Sequence, residues 1–162
     1  MTVQRLDEQT IELGGLDLLC CELIQQIPIS ADPGDSEAAR ERLFTPPTNR
    51  REERFEQDWK EYVEPELHRL FQSTIEIVQE DIKDFPSGEP SGEHSLRLPI
   101  KNLEAWIHAL NQARLALAAR YNFTEQDMDG KVPIEGDTRA LALFQVHFYG
   151  FIQECFLREL EA

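Results

Sequence analysis

Asn111 and Arg114 stand three residues apart inside a run of Leu and Ala that extends to Ala119. On a helix that spacing puts both side chains on one face. A guanidinium inside an apolar run needs a carboxylate or several carbonyl partners, because an unpaired interior charge costs several kcal/mol. Two arrangements meet the need. In the commoner one Arg114 bridges helices through an acid such as Asp17 or Glu22; in the other, Asn111 and Arg114 line a cleft that receives a small anion.

Histidines and carboxylates offer a second chemistry. Glu64 with His68, and Glu104 with His108, are spaced i, i+4. A carboxylate-bridged two-metal bundle needs Glu-x-x-His instead, and that motif is absent. Pairs at i, i+4 on charged helix faces are ordinarily solvated contacts, so neither a metal nor another cofactor is expected. His147, between Val146 and Phe148, reads as a core histidine. The stretch from Glu125 to Gly136 places Asp127 and Asp129 where a calcium loop has ligands, yet Gly136 stands where a bidentate Glu is required. It reads as a capped turn and an acidic loop. Cys20 and Cys21 fall in an apolar helix and Cys155 in another, where thiols are inert. With no nucleophile elbow and no glycine-rich phosphate loop, no residue is assigned a catalytic role.

These residues must be positioned by helices. Residues 3–13 alternate around Asp7-Glu8-Gln9 and predict a small N-terminal hairpin, within 1–14. Gly14-Gly15 ends it, and Leu16, Leu19, Cys20, Leu23, Ile24 and Ile27 recur at helical spacing up to Pro28. Asp35-Ser36 caps a short helix through Phe44. A long apolar stripe runs from Arg51 to Asp84, with Pro65 set to kink or divide it. The breakers from Pro86 to Glu93 predict a mobile loop over 86–94. Pro99 suits the first turn of a helix reaching Arg120, and Thr124-x-x-Asp127 starts a short capped turn. Thr138 to Leu160 is apolar on more than one side, which predicts a central helix packed all round. The expected fold is mainly α: one domain over 1–162, a bundle of five or six helices with a small N-terminal β-hairpin.

The 162 residues carry 16 Lys+Arg against 31 Asp+Glu, a formal net charge of −15. That excess repels phosphate backbones and anionic lipid, so nucleic acid and membrane partners are not expected. The basic patch Arg40, Arg42, Arg50, Arg51 and Arg54 is interrupted by Glu41, Glu52 and Glu53. Arg5, Asp7, Glu8 and Glu12 interrupt what a signal peptide would keep apolar, so a cytoplasmic location is expected.

Asn102 to Asp127 reads NLEAWIHALNQARLALAARYNFTEQD. The Trp, the Leu-Asn, the Arg-Leu-Ala-Leu and the Thr-Glu in this order resemble an uncharacterised, chiefly actinobacterial family, the domain of unknown function numbered 2017. The N-terminal hairpin, the Leu-rich helix and Arg42-Leu43-Phe44-Thr45-Pro46 are similar to it as well. Ala118 stands where that family usually has Gly. The resemblance implies a helical bacterial protein without an established activity. Its members often lie beside the gene for the Clp-protease adaptor, and some carry the label of transcriptional regulator, which the charge opposes. The sequence therefore reads as a non-enzymatic interaction or regulatory module, with a protein partner or a homodimer expected. Phe44, Phe85 and Tyr121 are the exposed aromatic candidates for partner binding.

Overall fold

Ile11, Leu13 and Leu16 carry the inward side of strand β2 (Thr10–Leu16), and all three are fully buried. Strand β1 (Thr2–Arg5) pairs antiparallel with it, Val3 opposite Leu13, and the turn is tied by Gln9 N donating to Asp7 Oδ1 at 2.7 Å. The predicted hairpin is thus present, and it is extended. Strand β3 (His94–Pro99) joins the far side of β2, with Leu98 opposite Ile11, giving a three-stranded antiparallel sheet in the order β1-β2-β3. His94, Leu96 and Leu98 point inward while Ser95 and Arg97 face out. Pro99 closes this edge strand, where proline is tolerated, and does not begin the following helix. The computed structural model describes residues 1–46, 52–86, 92–130 and 136–162, so the predicted 86–94 loop and Arg50 and Arg51 of the basic patch lie largely or wholly outside the described residues.

Helix α1 (Leu18–Gln25) starts where the Asp17 carboxylate accepts from Cys20 N at 2.8 Å, and α2 (Ile27–Ala31) follows with Pro28 in its first turn. Ser36 caps α3 (Glu37–Phe44) through Ala39 N. Next come α4 (Glu53–Asp58), a π-helical turn over Trp59–Val63, and α5 (Glu64–Ile82). Pro65 sits in the first turn of α5, and the missing N–H coincides with the wider turn that divides the predicted long helix. After a 3-10 turn at Ile100–Asn102 come α6 (Leu103–Arg120), α7 (Glu125–Met128) and α8 (Asp137–Glu161).

The core is centred on α6, which buries Leu103, Trp106, Ala109, Leu110, Ala113 and Leu117 and packs against α2, α3, α5 and α8. Trp106 is fully buried, edge-on to Phe156 of α8 at 6.0 Å and 89°. Its indole N–H donates to Asp81 Oδ2 of α5 at 2.8 Å, and Asn102 Nδ2 reaches both oxygens of the same carboxylate at 3.0 Å. One aspartate therefore satisfies the polar end of the largest core side chain.

The expectation that α8 is packed on all sides is corrected. It buries Ala142, Gln145, Val146, Tyr149, Ile152 and Phe156, which occupy one face. The α1 and α2 segments are docked on that face by hydrogen bonds: Tyr149 Oη donates to Leu23 O at 2.6 Å, and Gln145 Nε2 lies 2.8 Å from Tyr149 Oη and 3.1 Å from both Gln26 Oε1 and Ser30 Oγ.

Candidate functional site

Arg114 lies between α6 and α8, half-buried, while Asn111 points to solvent. The structure does not bring that pair together in a cleft. Neither Asp17 nor Glu22 is the partner of Arg114: Asp17 caps α1, and Glu22 is exposed. The guanidinium lies flat on α8, where Gly150 makes room for it. A Cβ at position 150 would stand 3.2 Å from both Cζ and Nε of Arg114. A mid-helix glycine costs roughly 1 kcal/mol relative to alanine, and here its backbone serves as a floor for the arginine.

The guanidinium is poorly neutralised. Nη1 donates to Gln153 Oε1 at 2.8 Å, Gln153 is steadied by Ile107 O at 3.4 Å, and Nε is buried with no hydrogen-bond partner. Glu154 stands on the same shelf but gives its carboxylate to Arg158. The shelf, of about 580 Å³, is open and bordered by His147, Phe151 and Leu157. Sequence reasoning found Arg114 and missed Gly150, Gln153 and the shelf. A glycine in the middle of an apolar helical run was the available signal.

The three aromatics expected at the surface are not exposed. Phe44 is 6% and Phe85 7% accessible. Phe44 is covered by His68, whose ring stacks on it at 3.7 Å, and by Phe71 at 5.4 Å. Phe85 joins the main core, and its carbonyl accepts from Gln25 Nε2 at 2.6 Å. Tyr121 is half-buried against Phe123. Phe44 and Phe85 found neighbours across the chain that local spacing does not reveal, and Tyr121 packs beside Phe123 against the main core.

Other candidates resolve into structural roles. Glu64 Oε1 and His68 Nε2 lie 3.6 Å apart at the helix surface. Among the described residues no cluster of three or more His, Cys, Asp or Glu can hold a metal. His147 is exposed, contrary to the core reading. Asp127 receives Thr124 N at 2.8 Å and Arg139 Nη2 at 3.2 Å, which hold its carboxyl below the usual range; residues 131–135 of the calcium-like loop lie outside the described residues. Burial pushes the thiols of Cys20, Cys21 and Cys155 up, which keeps them protonated.

Besides Phe55 and Tyr62 on the α4–π segment, the exposed aromatics among the described residues are on α8. Leu141, Phe144 and Phe151 are 47%, 48% and 52% accessible, with Phe148 and Cys155 half-buried beside them. Their spacing is three, four, three and four, a heptad seam roughly 21 Å long at 1.5 Å per residue. Phe144 and Phe148 lie parallel along it, 6.3 Å apart at 6°. Residues 138–153 contain no carboxylate, in a chain that has 31. Among the described residues α8 is also the one helix long and apolar enough to cross a membrane, with a hydropathy of 1.2 and a third of the window buried.

Comparison with curated proteins and with solved structures finds no match. A family model described as a domain of unknown function, DUF2017, matches residues 4–160, nearly the whole chain, and the protein belongs to that family.

Proposed function

We propose that this protein is an interaction module that pairs through the α8 seam, and that its partner helix is α8 of a second copy. The spacing of the seam carries this reading. Leu141, Phe144, Phe148 and Phe151 are separated by three, four and three residues, a series that is the same in both directions. An antiparallel copy meets Leu141 with Phe151 and Phe144 with Phe148, twice by symmetry, as an isologous interface requires. The alternative register, centred between Phe148 and Phe151, sets Leu141 against Arg158 and wastes a layer. The stretch without carboxylates supports it as well, since two chains of charge −15 approach best where neither presents an acid.

Three half-exposed aromatic or aliphatic side chains with two half-buried neighbours offer roughly 300 Å² of apolar surface per copy, at about 150–250 Å² for a whole aromatic. That is a core for a standard interface of about 800 Å² per partner, completed by a polar rim.

Light scattering tests the proposal. The wild type is expected at twice 18.7 kDa across micromolar concentrations, and Phe144→Glu/Phe151→Glu at 18.7 kDa with an unchanged circular dichroism spectrum. A wild-type monomer throughout that range would remove the proposal. Regulated proteolysis of the Clp type, the setting given by the family resemblance, supplies the first other protein to add to the same assay.

A catalytic or anion-sensing role draws less support. The Arg114 shelf is open, whereas small-molecule sites enclose most of their ligand. A nucleic-acid role would need free cations on one face. Arg40 donates instead to Gly34 O at 2.7 Å, and Arg120 to Ser30 O at 3.3 Å and to Asp32 O.

A further inference from the structure

Strand β3 is an outer strand of the sheet, and two bonds set the phase of its ladder. Ile100 N donates to Gln9 O at 2.8 Å, and on the other side of β2 Leu6 N donates to Thr10 O at 2.9 Å. Leu98 stands opposite Ile11 and Leu96 opposite Leu13, so the even positions of β3 turn their main-chain groups to β2 and the odd positions turn theirs away. The N–H and C=O of Ser95 and Arg97 therefore line an open edge, and among the described residues they have no hydrogen-bond partner. Proline and charge ordinarily blunt such an edge. Here Pro99 stands only at its end, and the Arg97 side chain is drawn to Glu12 Oε2 on the outer face of the sheet, at 2.9 Å. The opposite edge, β1, is four residues long and is tied by Arg5 Nη2 to Glu159 O of α8 at 3.3 Å.

A groove of about 440 Å³ lies against the β3 edge, with residues 93–97 on one side and Asp81, Asp84 and Phe85 at the end of α5 on the other. It carries an uncompensated negative charge. Asp81 accepts from Trp106 Nε1 and Asn102 Nδ2, neutral donors that leave its charge in place. Asp84 and Glu93 make no ion pair among the described residues, because the nearby cations are committed elsewhere, Lys83 to Glu80 and Arg97 to Glu12. His94 borders the same groove, 7% accessible, with a buried Nε2 that has no partner.

We propose that this edge is a docking site for an extended, lysine- or arginine-bearing segment of another protein, which joins the sheet as a fourth strand. Main-chain bonds to Ser95 and Arg97 supply the pairing, and alternate side chains supply the selectivity. Side chains on the inward face of the added strand continue the row of His94 and Leu96 and so approach Asp84 and Glu93, where a basic residue is favoured and an acidic one repelled. The net charge of −15 draws a basic segment to the protein in the first place. Five extended residues, about 16 Å at 3.3 Å each, match the length of residues 93–97. The site uses no residue of the α8 seam, so it stands or falls apart from the pairing proposed above.

The test is fluorescence anisotropy of a fluorescein-labelled, amidated peptide Ser-Lys-Val-Lys-Val-Lys-Ser against the full chain. The peptide is expected to bind, and the same peptide with Glu in place of each Lys to bind at least about tenfold more weakly. Methylating alternate main-chain nitrogens keeps every charge and removes the pairing, so it should also cost about tenfold or more. On the protein, Asp84→Lys/Glu93→Lys and Ser95→Pro should each weaken binding to a similar extent, proline being tolerated on an edge strand, with folding checked by circular dichroism. Amide exchange at Ser95 and Arg97 should slow when the peptide is present. Phe144→Glu/Phe151→Glu should bind like the wild type. No anisotropy change up to about 1 mM protein overturns the proposal. So does equal binding of the methylated peptide, which would mean that the acids attract it without strand pairing, and this result is decisive even if Ser95→Pro fails to fold.

Discussion

Replacing Tyr149 with Phe takes one oxygen out of a fully buried site, and its consequence shrinks as pH rises. The hydroxyl donates to Leu23 O at 2.6 Å and accepts from Gln145 Nε2 at 2.8 Å. Gln145 retains Gln26 Oε1 and Ser30 Oγ as acceptors, so its two amide protons stay served, whereas the Leu23 carbonyl loses this donor. The expected cost at pH 7 is therefore about 1–2 kcal/mol, one buried hydrogen bond with part of a desolvation penalty. Burial also pushes the Tyr149 hydroxyl from its ordinary 10 up to about 12. Its folded-state value is above its unfolded one, so between them the unfolded chain holds fewer protons than the native state. Stability falls as pH rises through that window. Two units correspond to about 3 kcal/mol, which the wild type loses and the Phe variant does not. Urea unfolding followed by circular dichroism at pH 7, 9, 10.5 and 11.5 measures the difference directly, because Tyr62, Tyr121, the lysines and the net charge are common to both proteins. The wild type should be the more stable at pH 7, and by pH 11.5 that advantage should have shrunk by about 2 kcal/mol. A difference that stays flat from pH 9 to 11.5 would show that water reaches the hydroxyl and would refute the packing of α8 on α1.

Two further outcomes test the positioning of the helices. Asp81→Leu strands the Trp106 indole N–H in the core and should cost about 2–3 kcal/mol in urea unfolding, while Asp81→Asn, which keeps an acceptor, should cost clearly less. Asp127 is held below the usual carboxylate range, first by Thr124 N and then by Arg139, so its contribution is present above the unfolded carboxyl value and is lost as pH falls through the folded one. Asp127→Asn should therefore lower the melting temperature at pH 7 and blunt its decline under acid; equal declines in the two proteins would count against the cap.

Local signals carried most of the fold. Ser36 and the Thr124–Asp127 box mark helix starts by short-range side-chain chemistry, and each makes the predicted bond, whereas the Asp17 cap, which starts α1 at Leu18, stands out in the sequence only as an acid for Arg114. The proline at position 65 predicted a break, and the π turn stands there. Strand β3 was missed although His94, Leu96 and Leu98 alternate with polar residues, because its partner β2 is some eighty positions away and Pro99 has an equally good local reading as a helix start. The site was half legible. Arg114 is conspicuous in an apolar run, but its neighbours come from α8, and no spacing within α6 reveals which helix crosses it. The α8 face was misjudged for a related reason: a helix apolar on several sides is equally consistent with burial among its own neighbours and with a second molecule on one side. The aromatic rings at 44, 85 and 121 show the converse, since isolated apolar residues near breakers found cover in tertiary contacts.

The most direct measurement is sedimentation equilibrium of the wild type beside Phe144→Glu/Phe151→Glu in one run, from 1 to about 100 micromolar, concentrations over which an interface of standard size assembles. The account predicts a wild type that fits twice 18.7 kDa and a variant that fits 18.7 kDa, both with the same helical content. Equal masses for the two proteins would contradict it.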